Sequence, residues 1–166
     1  IVGMGYIALE MAEALRARGI GVKMVKPRPT LLPWMDSELS DMIQNELKAQ
    51  GVELYPGHAI ESIGQHRNRL QVVCPDMSLE SDAVLVAIGV RPNSELAVQA
   101  GLELGAGEAI AADRSMLTSD PDIYAAGDCA DAFSVLTGQR TWVPLALRAN
   151  RAGWAVADHL AGREVD

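Results

Sequence analysis

The chain begins Ile1-Val-Gly-Met-Gly-Tyr-Ile-Ala-Leu-Glu10, and this stretch decides the fold. Its first two residues are predicted to end a buried strand, and the next three to form a tight glycine turn. From Tyr6 onwards the apolar residues recur at helical spacing, as Ile7, Met11 and Leu15. A strand, a glycine turn and an amphipathic helix are therefore predicted in direct succession.

The spacing Gly3-x-Gly5-x-x-Ala8 matches the fingerprint G-x-G-x-x-G/A of dinucleotide-binding turns. In that fingerprint Gly3 permits the tight turn, Gly5 lets the backbone approach a pyrophosphate, and Ala8 keeps the helix close to the sheet. The helix N-terminus offers unpaired N–H groups and the positive end of its dipole to the phosphates. A purely structural strand–helix turn stays open as the alternative, but the context favours dinucleotide binding.

Strand and helix patterns continue to alternate after the first helix. Further parallel strands are predicted over Gly21–Val25, Val52–Tyr55 and Asp82–Gly89, the last as a continuous apolar run of the fully buried type. A second helix is predicted over Glu38–Gln50, after the loop Pro27–Asp36. We expect Ser37 to cap this helix and its core stripe to be Leu39, Ile43 and Leu47.

Two alternating runs interrupt this order, at Ala59–Ile63 and Leu70–Cys74. The polar stretch between them predicts an antiparallel pair of strands. The sequence therefore predicts an α/β fold, a doubly wound Rossmann-like nucleotide-binding domain with a small antiparallel insertion.

The pattern changes after a turn at Val90–Asn93. A short helix is predicted over Glu95–Ala100 and a final helix over about Leu145–Ala161, with short strands at Ala109–Ala112 and Ile123–Ala126 between them. We therefore expect two domains, residues 1–90 and residues 91–166. The abrupt start, with no Met and almost no strand ahead of the glycines, suggests a piece of a longer protein.

The composition argues against several classes of function. The 166 residues contain 14 Lys and Arg against 22 Asp and Glu, and this net charge of −8 disfavours nucleic acids and anionic membranes as partners. No apolar run approaches the about 18 residues that a membrane span needs. The two cysteines, Cys74 and Cys129, have no CxxC or metal-ligand spacing, which indicates no metal site and a reducing, cytoplasmic location.

The residues after the second strand bear on which nicotinamide cofactor is used. An Asp or Glu at this place would accept hydrogen bonds from the ribose 2′-hydroxyl. The chain has Lys26 and Arg28 instead, which can pair with a 2′-phosphate. We expect NADPH to be used at least as well as NADH, unless these are only solvated loop charges.

Five stretches together resemble the pyridine nucleotide–disulfide oxidoreductases, and most closely their coenzyme A-disulfide reductase and NADH oxidase branch. They are IVGMGYIALE from residue 1, RPTLLPWMDSE from 28, LVAIGVRPNSELA from 85, TSDPDIYAAGDCA from 118 and VPLALRANRAG from 143. The resemblance implies that the first 90 residues bind NAD(P)H. It implies that the rest is an incomplete, C-terminal return segment of an FAD-binding domain.

The resemblance also implies roles for residues of the first domain. Gly3, Gly5 and the first amides of the helix, with Ile7 among them, would hold the pyrophosphate of NAD(P)H. Tyr6 would lie over the nicotinamide face of the flavin and move aside for the cofactor. Glu10 would lie close to the nicotinamide end, and Gly89 would border the cofactor cleft. A helix-start aromatic and an exposed helix charge are the alternatives for Tyr6 and Glu10.

The second domain would contribute to the FAD site. By resemblance, Asp128 would accept hydrogen bonds from the FAD ribityl chain, which Gly127 allows to approach. Residues 144–147, including Leu145 and Ala146, would place backbone near the flavin ring. Asp128 as a simple turn cap is the alternative. Arg148 and Arg151 would reach the phosphates of coenzyme A if that is the substrate, or would be surface arginines.

The family likeness implies that an intact protein passes hydride from NAD(P)H through FAD to a thiol disulfide, such as coenzyme A disulfide, or to oxygen. The redox cysteine would lie in an FAD-binding half before Ile1, and a dimerisation domain would follow, so no catalytic residue is expected in this chain. Such a piece alone would retain little flavin, be inactive, and dimerise or exchange segments. Two alternatives stay open: a ferredoxin- or rubredoxin-type reductase, and a nucleotide-sensing module without enzymatic activity.

Overall fold

The computed structural model describes residues 1–165, which form two compact units that part between Gly89 and Val90. The elements of the first unit are α1 (Tyr6–Ala17), β1 (Lys23–Lys26), α2 (Ser37–Ala49), β2 (Glu53–Pro56), β3 (Ser62–His66), β4 (Arg69–Val73) and β5 (Ser78–Ser81). Those of the second are α3 (Glu95–Gln99), a 3₁₀ turn (Ala106–Glu108), β6 (Ala132–Phe133), β7 (Arg140–Thr141) and α4 (Ala146–Leu160).

Four parallel segments lie side by side in the first unit. Strands β1 and β2 pair in parallel, with Lys23 opposite Glu53. Val2 forms parallel bridges to Val25 on one side and to Val86 on the other. The order across the sheet is thus β2, β1, the segment at Val2 and the segment at Val86. In chain order these are the third, second, first and fourth parallel segments, which is the order of a doubly wound nucleotide-binding sheet. The predicted fold class is confirmed.

Helix α1 packs on this sheet through small side chains. Ala8 and Ala12 are fully buried, whereas Ile7 and Met11 are exposed. Of the three apolar residues whose spacing predicted this helix, only Leu15 packs against the core. The glycine turn brings the helix so close to the sheet that only methyl groups fit between them, and bulky side chains lie on the flanks.

Helix α2 follows the prediction over most of its length. Ile43 and Leu47 pack against the core, but Leu39 is exposed. The N-cap is Asp36 rather than Ser37, because the Asp36 side chain accepts a hydrogen bond of 2.9 Å from the Glu38 amide. The preceding loop is anchored by Leu31 and Leu32, whose side chains are buried.

The insertion is a three-stranded antiparallel sheet in the order β3-β4-β5. The two predicted strands are present with shifted bounds, and only Arg67 and Asn68 separate them. Strand β5 was not predicted, since its sequence Ser-Leu-Glu-Ser contains a single apolar residue, Leu79. That side chain packs with Val72 and Cys74 in a small core.

The apolar stretch Asp82–Gly89 differs from its prediction as a fully buried strand. It pairs with the sheet through one bridge, Val86 to Val2, and Ile88 is 76% exposed. Beyond this bridge the neighbouring segment leaves the sheet at the glycine turn, which begins at Gly3.

The second unit has less regular structure than the sequence suggested. The predicted strands Ala109–Ala112 and Ile123–Ala126 contain only isolated bridges, at Ile110 and Tyr124. Each pairs at a single residue, which is too short for a ladder. The hairpin β6–β7 was not predicted, whereas α4 lies where the final helix was expected. Among residues 1–165 no helix has the length and apolar character to cross a membrane.

Candidate functional site

Gly3 is required by the fold of the first unit. Its φ of +114° is a conformation that residues with a side chain rarely adopt. A Cβ atom at this position would overlap the carbonyl oxygen of Ala87 and lie 2.7 Å from its carbonyl carbon. The close approach fixes the turn against the segment that runs up to Gly89, which is itself exposed.

Gly5 is not required by any neighbouring protein atom. It is the N-cap of α1, its φ of −88° is ordinary, and a Cβ built on it has no described atom within 4 Å. No side chain caps this helix N-terminus and no acidic residue lies in its first turn. The first amides of α1, including that of Ile7, therefore have no side-chain acceptor, which is the condition under which a helix N-terminus can bind a phosphate.

An aromatic pair lies beside the turn. The Trp34 indole Nε1 donates a hydrogen bond of 3.0 Å to the Tyr6 phenol oxygen, and the ring centroids are 5.6 Å apart. Tyr6 and Trp34 are 52% and 60% exposed. Sequence analysis did not identify Trp34, because it lies in an irregular loop with no periodicity to mark it.

Glu10 lies one turn further along α1 and is exposed. It also lines a groove of about 630 Å³ between α1 and α2, which contains none of the other predicted binding residues. The groove walls combine Leu9 and Leu47 with the acidic Glu13 and Glu46. This acidic lining does not suit a phosphate, so the glycine turn remains the candidate cofactor site of the unit.

Lys26 and Arg28 are placed differently. Lys26 is only 8% exposed, and its Nζ donates a hydrogen bond of 2.6 Å to the carbonyl oxygen of Thr30. Burial, with the nearby charge of Arg28 as a smaller cause, lowers the Lys26 pKa from its ordinary value. Arg28 is exposed in the same loop. Of the two, Arg28 is the one free to meet a 2′-phosphate.

The second unit contains the other predicted cofactor residues. Gly127 has a φ of +100°, and a Cβ built on it has no described atom within 4 Å. Asp128 is exposed, and among the described residues its carboxylate has no hydrogen-bond partner. Leu145 and Ala146 are also exposed, at the N-cap and first residue of α4. An open backbone approach beside an unpaired acid fits a ligand with hydroxyl groups, as the ribityl chain has.

An ion pair between a buried acid and a partly exposed arginine lies next to this loop and was not predicted. Asp131 is fully buried, and Arg140 Nη1 donates to its carboxylate oxygens at 2.7 and 2.9 Å. The backbone amides of Ala106 and Ala112 donate to the same carboxylate. A Cβ on Gly105 would overlap it. The sequence signal, an acid within the apolar run Cys-Ala-Asp-Ala-Phe, is too common to identify such a pair.

Neither cysteine resembles a redox centre. Cys74 is buried, and burial raises the pKa of its thiol, with smaller contributions from Asp76 and Glu61. Cys129 is half-buried and its thiol contacts the carbonyl oxygen of Ala126 at 3.5 Å. Within residues 1–165 no cluster of three His, Cys, Asp or Glu is arranged to hold a metal ion.

The sheet order and the glycine turn define a doubly wound α/β protein of the nucleotide-binding class. Comparison with known families matches residues 1–153 to the family described as pyridine nucleotide-disulphide oxidoreductase. The chain belongs to this family, as its resemblance implied.

Three similar proteins illustrate the range of relatives. The CoA-dependent NAD(P)H sulfur oxidoreductase of Pyrococcus abyssi is 41% identical over 99% of this chain and 37% of its own length. The structure of the water-forming NADH oxidase from Lactobacillus brevis bound to NADH is 33% identical, with a TM-score of 0.87 over 96% of this chain and 35% of its own. A ferredoxin reductase from Rhodopseudomonas palustris is 33% identical, with a TM-score of 0.86 over 99% of this chain and 41% of its own.

The chain therefore spans little more than a third of the length of these relatives. The shared part includes both described units, since the matches cover almost all of the chain.

Proposed function

We propose that residues 1–90 bind NAD(P)H at the glycine turn. The observation that carries the proposal is the contrast between the two glycines. Gly3 is needed for contact with Ala87, whereas Gly5 opens onto space next to uncapped amides. The fold itself does not require glycine at position 5, whereas the close approach of a pyrophosphate to the backbone would. The structure of the Lactobacillus brevis relative with NADH supports the assignment.

Residues 91–166 are proposed to contribute to an FAD site through Gly127, Asp128, Leu145 and Ala146. The unpaired carboxylate of Asp128 is an acceptor for ribityl hydroxyl groups, and Gly127 leaves room for them. When bound, the flavin supplies the chemistry that accepts a hydride and passes electrons on. The chain's own residues bind and orient the two cofactors. Tyr6 covers the nicotinamide position until NAD(P)H enters, and Glu10 lies near that end.

The complete protein is proposed to be an FAD-dependent NAD(P)H oxidoreductase whose acceptor is a thiol disulfide, such as coenzyme A disulfide, or oxygen. The Pyrococcus relative, named as CoA-dependent, supports the first acceptor, and the Lactobacillus relative, named as water-forming, supports the second. Neither cysteine of this chain takes part in the proposed chemistry, because Cys74 is buried and the Cys129 thiol is half-buried and donates to the carbonyl of Ala126.

A protein electron carrier is the second candidate acceptor. The likeness to the Rhodopseudomonas ferredoxin reductase supports it, with an identity equal to that of the NADH oxidase structure. The two candidates differ in whether a reactive cysteine lies beside the flavin in the complete protein.

The test uses the full-length protein that carries this chain. Anaerobic addition of NADPH or NADH should bleach the flavin absorbance band. The reduced protein is then mixed with coenzyme A disulfide, with oxygen or with oxidised ferredoxin, and the return of the band shows which of them accepts the electrons. Reoxidation by the disulfide or oxygen supports the proposal, and reoxidation by ferredoxin alone favours the second candidate. Binding of NAD(P)H with no flavin in the protein would overturn it in favour of a nucleotide-sensing module.

A further inference from the structure

The loop from Gly127 to Asp131 turns all of its carbonyl groups toward protein donors. Three of them, those of Gly127, Ala130 and Asp131, accept hydrogen bonds from the guanidinium of Arg148. The carbonyl of Asp128 accepts a hydrogen bond of 2.7 Å from the Trp142 indole, and that of Cys129 accepts one of 2.8 Å from the Ile110 amide. The loop conformation is therefore fixed by donors from Arg148, Trp142 and Ile110.

The Asp128 side chain takes no part in this hydrogen-bond network. The Asp128 carboxylate has no hydrogen-bond partner within residues 1–165, and the open Cβ direction of Gly127 adjoins it. Because the carbonyl groups on both sides of Asp128 are held by other residues, the position of its exposed side chain depends on that network. The acid that is proposed to bind the ribityl chain is thus presented by a loop that other residues hold.

Arg148 also belongs to the second segment that is proposed to contact the flavin. It is the third residue of α4, two positions after Ala146. Its Nη1 donates to the carbonyls of Gly127 and Ala130 at 2.8 and 2.9 Å. One side chain therefore connects the start of α4 to the Asp128 loop, and sets the distance between the two segments.

The surroundings of Arg148 fit a structural task rather than capture of a substrate. The side chain is half-buried, and both terminal nitrogens are occupied by carbonyl groups. Burial lowers its pKa, and the charges of Asp131 and Asp128 oppose that shift. An arginine stays ionised under all ordinary conditions. These contacts favour a structural role for Arg148 over both earlier alternatives, a surface arginine and a ligand for coenzyme A phosphates.

We infer that Arg148 is a positioning residue for the flavin, which holds the Asp128 loop against the start of α4 so that the carboxylate meets the ribityl hydroxyl groups. The inference rests on the proposed FAD site. It assigns no contact between Arg148 and the cofactor, and its effect passes through Asp128.

The test is a double-mutant cycle in the full-length protein, with the FAD dissociation constant measured by titrating flavin into apoprotein. Arg148→Met keeps the length of the side chain and removes its donors, and we expect it to weaken FAD binding by about tenfold or more. Asp128→Ala should weaken binding comparably. In the Asp128→Ala background, Arg148→Met should have little further effect, because the two residues act in series.

Two further variants separate positioning from general stability. Arg148→Lys retains the charge but not the planar fork, so its FAD affinity should fall between those of the wild type and Arg148→Met. Arg163→Met, an exposed arginine beyond α4, removes the same charge without touching the loop and should leave FAD affinity unchanged. NAD(P)H affinity should not change in any of these variants. If Arg148→Met does not fold, the cycle is run with Arg148→Lys.

The outcomes distinguish the inference from the proposal beneath it. If Asp128→Ala leaves FAD affinity unchanged, the FAD site itself is wrong. If Asp128→Ala weakens binding and the Arg148 variants do not, only the positioning role is overturned. Full additivity in the cycle, or a parallel loss of NAD(P)H affinity, also overturns it, since either result means a general structural effect.

Discussion

The indole N–H of Trp34 donates a hydrogen bond to the phenol oxygen of Tyr6, across 28 positions of sequence. Both side chains are more than half exposed, so the bond holds Tyr6 in place without burying it. Tyr6 is proposed to move aside when NAD(P)H binds. If it does, this hydrogen bond is broken on binding, and Trp34 becomes a reporter of the event.

Binding of oxidised cofactor should therefore change tryptophan fluorescence through Trp34. NADP⁺ or NAD⁺, which do not emit, should alter the emission of the full-length protein but not that of Trp34→Phe. Because the lost hydrogen bond contributes about 1 kcal/mol, Trp34→Phe should also tighten cofactor binding, by up to about fivefold. Trp154→Phe, an exposed residue of α4, is the matched control. A response that persists in Trp34→Phe would show that Tyr6 does not leave its partner.

Gly3 and Gly5 should separate stability from binding. Gly3→Ala places a methyl group against the Ala87 carbonyl at a positive φ, and should lower the free energy of unfolding by at least about 2 kcal/mol. Gly5→Ala has an allowed φ and open space, so its thermal midpoint should stay near that of the wild type. It should weaken NAD(P)H binding by about tenfold or more, because the methyl group occupies the proposed phosphate position.

Thermal unfolding and cofactor titration of both glycine variants provide the measurement. Equal affinity of Gly5→Ala and wild type for NAD(P)H would contradict the proposed site. Equal stability of Gly3→Ala and wild type would contradict the turn geometry.

The glycine turn shows what the sequence could predict. A strand, two glycines at fixed spacing and a helix are local features, and local features specify the turn and the order of the parallel segments. The face of α1 was not predictable from hydrophobicity alone. The largest apolar residues, Ile7 and Met11, are exposed, because the close approach of the helix admits only Ala8 and Ala12.

Contacts between distant residues were beyond the sequence argument for a related reason. The sequence predicted that Lys26 either pairs with the 2′-phosphate or is a solvated loop charge. Its burial and its hydrogen bond to the Thr30 carbonyl depend on the path of the loop, which the sequence pattern does not specify. Arg148 was predicted to be either a ligand for coenzyme A phosphates or a surface arginine. Neither prediction included its hydrogen bonds to the carbonyl groups of the Gly127–Asp131 loop. Polar networks of this kind depend on tertiary geometry that periodicity does not encode.

Arg28 should control the preference between the two nicotinamide cofactors. It is exposed, whereas the Lys26 ammonium is already engaged by Thr30. Arg28→Gln should weaken NADPH binding by about tenfold and change NADH binding much less, because only NADPH carries the 2′-phosphate. The NADPH effect should shrink as salt concentration rises. Dissociation constants for both cofactors at two ionic strengths test this, and an equal loss for both would contradict the role.

The buried pair of Asp131 and Arg140 should be essential for the second unit. Arg140→Met removes the cation that pairs with a fully buried carboxylate, and should lower the free energy of unfolding by about 1–3 kcal/mol. The loss is smaller than for a pair buried on both sides, because the Arg140 side chain is 37% exposed. The double variant Asp131→Asn with Arg140→Met should be less affected than the sum of the two single variants, since no uncompensated charge remains. Arg163→Met breaks an exposed pair with Asp158 and should change stability by less than about 1 kcal/mol.

Urea unfolding of these variants is followed by the emission of Trp142, which lies in the same unit, with Trp34 and Trp154 of this chain replaced by Phe. A loss for Arg140→Met as small as that for Arg163→Met would contradict the importance of the pair.

The two cysteines should differ in their reactivity toward a thiol reagent. The nucleophile is the thiolate, and burial raises the pKa of the Cys74 thiol, so at pH 8 less of it is ionised than of an ordinary cysteine. Its side chain is also shielded from solvent, whereas Cys129 is half-buried. Iodoacetamide should therefore label Cys129 first, and labelling of Cys74 should accelerate as the pH rises or when urea unfolds the protein. Peptide mass mapping of timed samples gives both rates. Faster labelling of Cys74 in the folded protein would mean that this thiol is accessible and active, contrary to the assignment of the redox chemistry to residues outside this chain.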